Sequence, residues 1–118
     1  MFSFSAYSAT YNVELISSWT PVGGEVIEAD EVLEINSDEF IYMSSLKDRP
    51  FGFKFKISPL EGDLLKLDGH IFEMRNGEEF IFGSPIVQFR LGSNARIESE
   101  NDKMGKLKLK IRVIDIIE

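Results

Sequence analysis

A hydrophobic period of two constrains this chain more than any other feature. Tyr7, Ala9, Tyr11, Val13 and Leu15 alternate with Ser8, Thr10, Asn12 and Glu14. Successive side chains of a strand point to opposite faces, so the pattern predicts a strand with one buried face. Phe51, Phe53, Phe55 and Ile57 alternate with Gly52, Lys54 and Lys56 in the same way, and Val87, Phe89 and Leu91 with Gln88 and Arg90. In GKLKLKIRV, residues 105–113, Lys106, Lys108, Lys110 and Arg112 interleave with Leu107, Leu109, Ile111 and Val113. The β-branched and aromatic content suits a pleated, half-buried surface.

Shorter strand candidates are Glu25–Glu28, Val32–Ile35, Phe40–Met43 and Leu64–Leu67. The stretch EVIEADEVLEI nearly traces one helical face, but Gly23 and Gly24 precede it where a helix would want a capping Ser, Thr, Asp or Asn. Two short strands around EADE are expected instead. Turn signals separate the runs at roughly 8–12-residue intervals, as in a sandwich or barrel. They are TPVGG, NSD, KDRP, SPLEGD, LDG, RNGE, GSP, LGSN and ENDKMG, and Pro21, Pro50, Pro59 and Pro85 all fall within them. In the hairpin HIFEMRNGEEFIF, a three-residue loop Arg75–Asn76–Gly77 sets Phe72 opposite Phe80 and gathers Phe72, Met74, Phe80 and Phe82 on one face. A two-residue Asn76–Gly77 turn mixes the faces, so the longer loop is expected. The fold class that follows is all-β: a single antiparallel β-sandwich or flattened β-barrel over residues 1–118, with Greek-key or meander connections. At this length a core forms without staples, which become necessary only below ~70–80 residues.

Residue types exclude several chemistries. There is no cysteine, hence no disulfide, thiolate metal site or Cys nucleophile. His70 is the only histidine. It completes no zinc site by itself, and no strand–turn–helix nucleophile elbow accompanies it. In LDGH it reads as an exposed residue at a strand entry. The acidic turns NSDE (Asn36–Glu39) and ESEND (Glu98–Asp102) lack the spacing of an EF-hand loop. No glycine-rich phosphate loop occurs. No enzyme activity, metal or cofactor is expected.

The net charge of −7 is unevenly spread, with nine acidic residues and one lysine in residues 1–48. Glu25, Glu28, Asp30, Glu31 and Glu34 form the densest group and are the candidate surface for a basic protein partner. Nucleic acid is not expected, because the alternation sets the lysines on the face opposite the apolar residues and the overall charge is negative. A hairpin between Ala95–Glu100 and the lysine row brings Glu98 and Glu100 to the same face as Lys106, Lys108 and Lys110. Beyond Val113, in IDIIE, Ile114, Ile116 and Ile117 break the alternation. They are a candidate interface between copies of the chain, unless Phe2 and Phe4 cover them. No apolar run approaches the ~18–20 residues of a membrane span.

Ser84, Pro85, Gly92, Ala95 and Ile97, within FGSPIVQFRLGSNARIES and followed by GKLKLKIRV, carry a likeness to a known family. Residues 83–113 resemble a β segment of bacterial outer-membrane secretins, without that family's repeated α/β modules. SATYNVELISSWT resembles the first strand of spondin-type domains, whose His-Pro and His-Phe-Ser signatures are missing. The secretin likeness implies a cell-envelope β module and transfers no functional residue. The expected function is a non-enzymatic protein–protein interaction module, as an envelope or assembly component or an acidic immunity-type inhibitor. The alternative is a carrier of apolar small molecules in an aromatic-lined β-barrel cavity. The N-terminus has no basic and apolar leader pattern, which implies a cytoplasmic protein if the chain is whole and a periplasmic or extracellular one if it is a mature fragment.

Overall fold

The computed structural model describes residues 9–43 and 50–117. Its strands are β1 (Thr10–Thr20), β2 (Ile27–Asn36), β3 (Ile41–Tyr42), β4 (Phe51–Pro59), β5 (Leu64–Arg75), β6 (Glu78–Gly83), β7 (Ile86–Arg90), β8 (Asn94–Asn101) and β9 (Gly105–Ile117). They form two antiparallel sheets packed face to face. Sheet A has the order β2-β1-β9-β8, and sheet B the order β3-β4-β5-β6 with β7 also paired to β5. The sheets do not close, so the fold is a sandwich and the barrel form is corrected.

The alternating residues fill the space between the sheets. Tyr11, Val13, Leu15 and Trp19 of β1 meet Leu107, Leu109, Ile111 and Val113 of β9 on one side, and Phe53, Phe55, Ile57, Leu65, Leu67 and Ile71 on the other. Phe53 and Phe55 stack at 5.8 Å and are fully buried. Each such side chain contributes about 1.5–3 kcal/mol by leaving water. Trp19 Nε1 donates to the Met104 carbonyl at 2.8 Å, tying the end of β1 to the turn that opens β9.

Sheet A departs from the sequence reading at β2, which is one continuous strand and neither two strands nor a helix. It pairs without interruption from Trp19↔Ile27 to Thr10↔Asn36. Ile27, Ala29, Leu33 and Ile35 face inward, with Glu31 in register between them opposite Leu15. An inward carboxylate on an edge strand is a known device against edge-to-edge pairing. At the far end, a bulge between Asn12 and Val13 leaves Ile114 as the extra residue of β9, so the alternation breaks there.

In sheet B, LDG is no turn. Gly69 lies inside β5 opposite Phe55, where a Cβ would come within 2.9 Å of the Phe53 ring. His70 is therefore a half-buried mid-strand residue opposite Lys54, not an exposed strand entry. The first half of β5 pairs β7 and the second half pairs β6, so two short strands share one side of it. The β5–β6 turn is the two-residue Asn76–Gly77 form, with φ of 52° and 81°, which overturns the three-residue loop. Phe72 faces Ile81 and Glu73 faces Phe80. A single buried face would favour the longer loop, yet Met74, Phe80, Ile81 and Phe82 are all exposed. With neither face of the hairpin tip covered, burial did not choose the register.

Candidate functional site

The outer face of sheet A holds a concavity whose origin lies in side-chain length. Two rungs cross the sheet: Glu28–Ser18–Lys108–Glu98 and Asp30–Ile16–Lys110–Arg96. On β1 the outward residues Ile16 and Ser18 are short, while those of β2 and β9 on either side are long and charged. The result is a groove of about 520 Å³ along β1, floored by Ile16 and Ser18. Glu28 and Asp30 form one wall, Lys108 and Lys110 the other, and Arg96 and Glu98 lie beyond it.

The walls have opposite sign and hold their charges unpaired. Among the described residues, Glu28, Asp30, Arg96, Glu98, Lys108 and Lys110 make no ion pair or side-chain hydrogen bond. Glu98 falls opposite Lys108 and Glu100 opposite Lys106, on the shared face expected of the hairpin, but no ion pair joins them. Arg96 sits directly opposite Lys110. Like charges in that position oppose pairing by a few tenths of a kcal/mol, roughly 0.2–1. Next along the face the charges have partners: Arg112 Nη2 reaches Glu14 at 3.1 Å, and Asn12 Nδ2 donates to Asp115 at 2.7 Å.

The predicted acidic group is divided by the fold. Glu28 and Asp30 meet on the groove wall, and Glu34 continues their outward row beside Asn12. Glu25 lies in the connection before β2. Glu31 does not join them, since period two turns it to the core side, a correction to its place in a common surface. Ile114, Ile116 and Ile117 are 43%, 40% and 37% exposed. Beyond the bond from Gly92 N–H to the Val113 carbonyl, no described strand pairs β9 on that side. Phe2 and Phe4, the suggested cover, lie outside the described residues.

Sheet B has a second polar cluster on its outer face. Glu79 accepts from Lys54 at 2.8 Å and from the Tyr42 hydroxyl at 2.7 Å. These bonds, that from Lys54 first, hold the Glu79 carboxyl below the usual range. The bond to Glu79 raises both Lys54 and Tyr42. Lys54 also lies 5.1 Å from the centre of the Phe40 ring, and Phe40 packs edge-on against His70 at 5.2 Å. Aromatic residues thus do share a face with Lys54 and Lys56, contrary to the sequence reading, because β3 brings Phe40 and Tyr42 there. Of these two lysines, Lys54 is ion-paired with Glu79. Among the described residues no three His, Asp or Glu side chains converge as metal ligands.

Ile16, Ser18 and Arg96 entered no site predicted from sequence. Their only signal was outward placement on an alternating strand, and that becomes a groove only once β2 and β9 are known to flank β1. No protein-family model, curated protein or solved structure matches the chain.

Proposed function

We propose that this chain is a non-enzymatic protein-interaction module whose partner docks on the outer face of sheet A. The observation that supports it is the groove along β1, whose walls carry opposite, internally unpaired charges. Charges left without an internal partner cost the folded protein little while solvated, and they steer and orient a partner of complementary charge. Capture by immobilised protein checks the reading. Binding is expected to weaken with salt, to be lost with Glu28→Lys combined with Asp30→Lys, and to survive Glu100→Lys, which lies outside the groove. Capture indifferent to the first pair would refute it.

A second reading concerns the open stretch of β9. Ile114, Ile116 and Ile117 flank backbone that no described strand pairs, which suits association between copies of the chain. The carrier reading has less support. The aromatic residues Phe53 and Phe55 pack the core of an open sandwich, and the groove lies outside it.

A further inference from the structure

The spacing of the groove walls specifies more than charge. Glu28 and Asp30 are successive outward residues of β2, and Lys108 and Lys110 are successive outward residues of β9. Each wall therefore repeats at two strand residues, about 6.6 Å. The walls stand two inter-strand spacings apart, about 10 Å, with only Ile16 and Ser18 between them. An extended segment laid edge-on along β1 projects its side chains alternately to left and right. Its own same-side repeat is the same ~6.6 Å. Every second residue then meets carboxylates, and the residues between meet lysines.

We infer that the groove takes an extended segment of a partner protein in which cationic and anionic residues alternate. This rests on the reading of the groove as the docking face. A segment of one sign would leave one wall opposed by like charge. Arg96, opposite Lys110 and without a carboxylate of its own, extends the cationic wall toward β8. Glu98, on the same strand as Arg96 and opposite Lys108, offsets it, so the net charge on that side stays that of the two lysines of β9.

Two synthetic peptides of about eight residues test this: alternating Lys-Glu, and its block isomer with all Lys before all Glu. They share composition and net charge, so only the period differs. In low salt the alternating peptide is expected to bind about fivefold tighter or more, and to shift the amide resonances of Ile16–Ser18 and Lys108–Lys110. Glu28→Lys with Asp30→Lys is expected to weaken it about tenfold. Adding Lys108→Glu and Lys110→Glu exchanges the walls and is expected to restore binding, since the same peptide fits turned end for end. Equal binding of the block isomer overturns the inference. So does failure of the folded four-site variant to recover, and so does salt-sensitive dimerisation through this face, which would make a second copy the occupant. If neither peptide binds while a captured protein is still lost on reversal of Glu28 and Asp30, the inference fails and the docking face stands. If capture ignores that reversal, the docking face itself fails.

Discussion

At Gly105 the chain leaves no room for a side chain. Its φ is +92°, and a Cβ there would collide with the Thr20 carbonyl oxygen and meet the Pro21 backbone at 3.0 Å. Backbone cannot swing aside as a side-chain tip can, so Gly105→Ala is expected to cost more than about 2 kcal/mol. Gly92→Ala, at φ +86° but in open space, is expected to cost about 1 kcal/mol. Urea midpoints of the two variants make the comparison. Glu79 gives a pH-dependent counterpart. Its carboxyl titrates lower in the folded state than in the unfolded chain. Its contribution is therefore present above the unfolded-state pKa and lost as pH falls through the folded-state one. Glu79 and Lys54 keep 26% and 17% of their side-chain surface, so Glu79→Gln is expected to cost at most about 1 kcal/mol at neutral pH. Denaturation midpoints should converge with the wild type as the solution is acidified through that range. A gap that persists in acid would mean that packing, not charge, links Tyr42, Lys54 and Glu79.

Among the elements, β9 combines the best-patterned stretch of the sequence with its least protected one. From Leu107 to Val113 it is covered by β1 and β8 and fills the core. From Ile114 onward only β1 pairs it among the described residues. Lysine on an exposed edge deters pairing with another chain. Ile116→Lys is thus expected to reduce concentration-dependent association in sedimentation velocity, with stability changed by about 0.5 kcal/mol or less. The same contrast explains what could be read from sequence. β1, β4 and β9 announced themselves because a single buried face imposes a strict alternation. β2 did not, because Glu31 faces inward and the exposed Val32 outward, which blurs the period. The hairpin register is not legible from burial, because its tip is buried on neither face. The groove was not legible at all, since it depends on β1 lying between strands that adjoin it from opposite ends of the chain.

For the whole molecule, the central pairing is between its most distant parts. β1 and β9 run antiparallel from Thr20↔Lys106 to Thr10↔Ile117. Sheet A is complete only when that long loop closes, so folding is expected in milliseconds to seconds, as for other β-sandwiches. Leu107, Leu109, Ile111 and Val113 are all at least nine-tenths buried. Four such side chains represent about 6–12 kcal/mol of burial, against a typical total stability of about 5–15. Deletion of residues 105–117 is expected to abolish the cooperative transition, read from the fluorescence of Trp19, the only tryptophan.

The adjacency of Thr10 and Ile117 also sets the mechanical character of the protein. A load drawn through these two positions acts across the strands, not along them. The hydrogen bonds between β1 and β9 then meet the force one rung at a time, as in a zipper, instead of sharing it in shear. Pulled from these two positions, this sandwich yields at low force whatever its resistance to urea. Pulled along β9 from a handle at the opposite end of β1, it resists as a unit.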